Sequence, residues 1–136
     1  MGDLTRWTRA LVAALVAPAW IAGGRWRELL DPSPSARPGA AVVPVAAAER
    51  AVRWLSHVPF GPWRATCLYR SVAGCLLLRW SGVDAVLRLG VGGTERGSAA
   101  AAARLGVRPT TLAHAWIESA AGEVLYGDRT GWAPLQ

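Results

Sequence analysis

The chain has no lysine. All 15 basic residues are arginine, and nine acidic ones leave a formal charge of +6 over 136 residues. Sulfur and imidazole are scarce as well, with two cysteines, one methionine and two histidines. Each shortage excludes something. Cys67 and Cys75 lie eight residues apart on one predicted helix, about 12 Å along its axis, whereas a disulfide needs α-carbons within about 7 Å. No disulfide framework is available, and a reduced, cytoplasmic setting follows most simply. There is no Cys-x-x-Cys set, histidine pair or aspartate-rich loop, and no glycine fingerprint for phosphate, so neither a metal nor a cofactor is expected. The N-terminal apolar run, Ala10 to Ala22, has thirteen residues, short of the roughly 20 that span a bilayer. The arginines are scattered, with no basic run and no nucleic-acid module. The excess charge reads mostly as solvation, with an acidic peptide as the partner it would favour and no nucleic acid.

At 136 residues the chain is long enough for one domain with its own core. Arg6 and Arg9 precede the apolar run, and Ala17-Pro18-Ala19 resembles a signal-peptidase site. Leu4, Trp7, Leu11 and Leu15 nevertheless recur at helical steps, so a helix is expected that lays this face on the domain, with Pro18 bending its end. Contact of the same face with a membrane surface or a partner is the alternative. Arg25 to Leu30 continues as a short helix, and the Pro-rich stretch 31–40 reads as an exposed linker. Pro44 opens an amphipathic helix with Val45, Ala48, Val52 and Leu55 inside. Glu49 and Arg53 form an i, i+4 pair on its wet face, where His57 also lies.

The segment Arg64 to Trp80 organises the rest. Thr66 is a good N-cap, which puts Cys67 at the first helical position, where free amides favour the thiolate form. Leu68, Val72, Cys75, Leu76 and Arg79 make a mostly apolar stripe, and Ser81-Gly82 ends the helix. Cys67 reads either as a small apolar filler or as a presented nucleophile; Cys75 reads as core, and Ser71 as a deeper and weaker nucleophile. Val83 to Val91 is a strand. Residues 92–112 form a long excursion, either a lid or a disordered loop. His114-Ala115-Trp116-Ile117-Glu118 and Glu123 to Asp128 alternate as two strands joined by Ala120-Ala121-Gly122. Pairing Ser119 with Glu123 sets Trp116 opposite Tyr126 and His114 opposite Asp128. The imidazole then has a carboxylate to orient it and a second nitrogen for the thiol. Glu118, four residues along the same strand, is too far to serve as that partner. Trp63 and Trp116 are expected near the substrate, Trp116 either walling the cleft or shielding the imidazole whose face it shares, and Trp132 either covers the core or contacts substrate.

Cys-Leu-Tyr-Arg-Ser-Val-Ala, then Gly90-Val91, His-Ala-Trp-Ile-Glu and a Gly-Asp resemble the transglutaminase-like cysteine peptidases of lasso-peptide biosynthesis. The similarity runs from about Trp63 to Asp128. It implies an α+β fold with a transglutaminase-like, papain-like cysteine protease core: N-terminal helices over 1–58, and over 59–136 a small antiparallel sheet packed on the nucleophile helix. It implies Cys67 as nucleophile, His114 as general base and acid, and Asp128 as orienter. The implied activity is removal of the leader from a ribosomally made lasso precursor. A separate leader-recognition protein would deliver the substrate, and an ATP-dependent cyclase would take the product. Two alternatives stay open, a transglutaminase-like acyltransferase and a non-catalytic scaffold for a maturation complex.

Overall fold

The structure is a computed structural model that describes residues 2–34, 36–41, 43–64, 66–91, 113–119, 121–127 and 133–134. Three α-helices, α1 (Gly2–Ala22), α2 (Ala46–Leu55) and α3 (Cys67–Trp80), precede the sheet, with a 3-10 helix at Arg25–Leu30 between the first two. The strands are β1 (Ala85–Val91), β2 (Ala113–Ser119), β3 (Val124–Tyr126) and β4 (Ala133–Pro134). They form one antiparallel sheet in the order β3-β2-β1-β4. This is the α+β architecture the sequence implies. Among the described residues no helix is long and apolar enough to cross a membrane.

The centre is α3. Instead of a single apolar stripe, Ser71 to Leu78 are buried without interruption, because α1 and α2 pack on it from one side and β1 and β2 from the other. A helix apolar all round belongs inside a core. Gly74 makes the fit to the sheet: a β-carbon there would stand 2.5 Å from Val45 Cγ1 and 3.0 Å from Ile117 Cδ1. Arg79 closes the far end of α3 on backbone carbonyls, donating to Ala85 at 2.8 Å and Leu29 at 3.1 Å, and also to Asp31. The 31–40 stretch is tied down rather than loose, since Arg37 N donates to Gly82 O at 2.8 Å and Ser33 N to Asp84 Oδ1 at 2.9 Å.

α1 packs, but on the other face from the one expected. Its buried stripe is Ala10, Ala13, Ala14 and Ala17, all fully enclosed, while Leu4, Trp7, Leu11 and Leu15 are exposed. The alanines share their core with Val52, Leu76 and Leu78. The bulk at this interface comes from the neighbouring helices, and only a methyl-lined face lets α1 approach them closely.

Pro18 lies inside the last turns of the helix, which runs on to Ala22. A proline has no N–H to give the carbonyl four residues back, here that of Ala14. The indole of Trp63 supplies the missing donor, Nε1 to Ala14 O at 3.0 Å. Trp63 thus braces the approach to α3 against α1 and is packed, partly buried, on the core, with its N–H committed inside the protein. Trp63→Phe leaves that carbonyl without a donor and should cost about 1–2 kcal/mol in urea unfolding. Adding Pro18→Ala restores a helical N–H, so the double variant should recover part of the loss; strictly additive effects would dissolve the link.

Candidate active site

Cys67 is the first residue of α3 and is half-buried. Thr66 caps as expected, its hydroxyl accepting from Tyr69 N at 3.4 Å, and the first ladder bond runs from Arg70 N to Thr66 O at 3.1 Å. The Cys67 and Leu68 amides precede that bond, at the positive end of the helix. Arg70 anchors this turn. Its Nε donates to Thr66 O at 3.3 Å, and its Nη1 reaches Glu49 Oε1 at 3.2 Å on α2, which Arg53 also holds at 2.9 Å.

His114 lies on β2 opposite Gly90. What sets its level against the thiol is Ser71, which is fully buried and donates through Oγ to Ala115 O at 3.1 Å. Ser71 stands at Ala115 and Gly74 at Ile117, so α3 and β2 advance in the same direction. One turn back from Ser71 is about 6 Å, or about two strand residues. Cys67 therefore comes level with the Ala113–His114 end of β2. Ser71, sealed in and bonded, has no access to a substrate.

The side chains of β2 alternate. Ile117 meets α3, so His114, Trp116 and Glu118 occupy the other face. The His114 and Trp116 rings stack with centroids 6.0 Å apart and planes 25° apart, and His114 Nε2 is buried. Trp116 is fully buried and gives its Nε1 hydrogen to Glu118 Oε1 at 2.8 Å. Glu118 in turn has Arg88 Nε 3.5 Å from its Oε2. Trp116 is thus a packed plate beside the imidazole, the shielding place that its position on the strand implies. Glu118 fixes the indole against which the His114 ring lies. Alternate strand positions share a face, and that spacing is the signal by which this chain of three was readable.

The hairpin forms as expected: Ser119 N donates to Glu123 O at 2.7 Å, and Gly122 turns with φ +88°. Its register holds as far as Glu118–Val124 and then shifts. Leu125 is an extra residue in β3, so Ile117, not Trp116, stands opposite Tyr126. A slip of one residue reverses the face a side chain presents. Tyr126 accordingly packs on the core beside Glu49, and burial, then the nearby carboxylate, raises its phenol above the usual range. Gly127 follows at φ +86°, where a β-carbon would be 2.9 Å from Trp116 Cβ. Asp128, the expected orienter, lies outside the described residues, as do Trp132 and the 92–112 segment.

The two thiols differ sharply. Burial, opposed in part by the Arg79 guanidinium, pushes Cys75 from its ordinary 9.0 up to about 12. The thiol is neutral in folded and unfolded chains alike below about 9; above that only the unfolded chain ionises, so stability should fall between about 9 and about 12. Iodoacetamide at neutral pH should add one label to the native chain, at Cys67, and two in urea; labelling of native Cys75 would contradict the burial. Glu118→Leu should cost about 1–3 kcal/mol in urea unfolding by stranding the Trp116 N–H, and Glu118→Gln, which keeps an acceptor, less.

No curated protein and no solved structure matches the chain. A family model does, and it covers residues 8–136, from the second turn of α1 through the whole helix-and-sheet unit that carries Cys67 and His114. The family it describes includes cysteine proteases and acyltransferases. With that span matched, the chain belongs to the transglutaminase-like superfamily.

Proposed function

We propose that the chain is a cysteine endopeptidase that removes the leader from a ribosomally made lasso-peptide precursor. The observation that supports this best is the place of Cys67: a half-exposed thiol opening a capped helix, held level with His114 by the Ser71–Ala115 bond. In the proposed reaction His114 takes the thiol proton as Sγ attacks the carbonyl carbon of the last leader residue. The Cys67 and Leu68 amides, ahead of the helix ladder, donate to the oxyanion. The C–N bond breaks as His114 passes its proton to the leaving amine. Water, deprotonated by His114, then opens the thioester, freeing the leader carboxylate and the thiol. Asp128 orients the imidazole, the role its family resemblance implies. Because His114 alternates with Ile117, imidazole and thiol have to meet round the Ala113 end of β2, beyond Ile117–Tyr126, the last β3 pairing among the described residues. A separate leader-recognition protein delivers the substrate in the cytoplasm, and an ATP-dependent cyclase uses the free amine of the product.

Precursor, leader-recognition protein and this chain, followed by mass spectrometry, test the proposal. Cys67→Ala should abolish leader release, and His114→Ala should slow it by about 10²–10⁴. Undiminished release by Cys67→Ala would remove the nucleophile. A leader amide formed in the presence of a primary amine, in place of the acid, would assign the thioester to acyl transfer.

A further inference from the structure

The outward face of α1 that the core rejects is not an ordinary wet surface. Leu4 is 77 % exposed, and across a trough Trp54 on α2 is 68 % exposed, with Trp7, Leu11 and Val12 between them. Two concavities meet here. One, of about 630 Å³, is walled by Leu4, Trp7, Leu11, Ala51 and Trp54. The other, of about 900 Å³, runs between α1, the Arg37–Ala47 stretch and the C-terminal end of α3, and among the described residues it is lined by Arg6, Arg9, Arg37 and Arg50 with no aspartate or glutamate. Trp7 and Arg50 belong to both, with the Arg50 guanidinium 5.1 Å from the Trp7 ring centroid. Among the described residues the ion pairs engage Arg25, Arg53, Arg70 and Arg88, so none of the four trough arginines has its charge met by a carboxylate.

We infer that this trough is a docking site for an acidic, amphipathic peptide segment of another protein, one that sets apolar side chains between α1 and α2 and carboxylates against the arginines. Charge selects the occupant. A second copy of the chain carries +6 and would be repelled. The chain's own 92–112 stretch has the wrong sign too, with Glu95 against Arg96, Arg104 and Arg108. Shape selects as well: recesses between helices receive side chains, whereas a bilayer presses on a convex face. Ser81, at the rim of the larger concavity, lies 14 residues along α3 from Cys67, about 21 Å. An occupant there leaves the thiol end of the helix open, and the site stands whatever chemistry Cys67 performs.

The test is fluorescence anisotropy with a fluorescein-labelled 16-residue model helix of Leu, Trp and Glu, of roughly four turns, on the full chain carrying Cys67→Ala. Companion probes have every Glu replaced by Gln or by Lys, and phosphatidylglycerol vesicles are run by co-sedimentation. Saturable binding of the Glu helix is expected, weakening with salt and about tenfold or more with Trp7→Ala. The exposed charge reversals Arg9→Glu and Arg50→Glu together should weaken the Glu helix as much and transfer preference to the Lys helix, which a folding defect would not do. Circular dichroism checks that each variant is folded. No binding of the Glu helix, equal binding of the three helices, indifference to the trough variants, or binding to vesicles alone would each overturn the assignment.

Discussion

One buried hydrogen bond, Ser71 Oγ to Ala115 O, couples the nucleophile helix to the histidine strand. It fixes the sliding coordinate between α3 and β2: a shift of one helical turn moves Cys67 by about two strand residues, past the end of β2 in one direction and level with Ala115 in the other. Everything packed round α3 serves to hold that coordinate. Gly74 lets the helix lie close against Val45 and Ile117, Arg70 ties its first turn to α2, and Arg79 ties its last turn to the 3-10 helix and the start of β1. The alternation of β2 then separates two jobs. Ala115 and Ile117 make the joint, while His114, Trp116 and Glu118 occupy the opposite face, where the indole pinned by Glu118 steadies the imidazole.

The absence of lysine gains a physical sense from these contacts. Arg79 spreads its guanidinium over carbonyls from the 3-10 helix, the residue after it and β1. Arg70 divides its donors between a carbonyl and a carboxylate. A planar fork with five donors can satisfy several acceptors at once, which a single ammonium on a flexible stem does poorly. These arginines act as joints between elements, while Arg6, Arg9 and Arg50 line the α1–α2 trough.

Much of the site was legible because it is local. The Thr66 cap, the Gly122 hairpin and the burial of Cys75 follow from a few neighbouring residues, and each appears as the sequence implies. Misreadings came where two distant segments had to choose each other. Periodicity identifies α1 as a helix but does not say that a stripe of alanines would win the core over a stripe of leucines, since that depends on the bulk α2 and α3 bring. Nothing local to Pro18 tells that Trp63, far along the chain, gives the Ala14 carbonyl the donor that the proline cannot. The bulge at Leu125 is likewise invisible in an alternating pattern, which reads the same in either register until Tyr126 finds its place beside Glu49. Trp116 was legible as a neighbour of the imidazole from the strand alternation, while its burial comes only with the tertiary fold.

The confinement of Cys75 also bears on how the protein withstands oxidants. A sulfenic acid formed on Cys67 is commonly rescued by condensation with a neighbouring thiol. The one other sulfhydryl in this chain is eight residues further along the same rigid helix and sits wholly within the core. Repair of Cys67 must therefore come from outside the molecule, and its redox state will track whatever small reductants surround it.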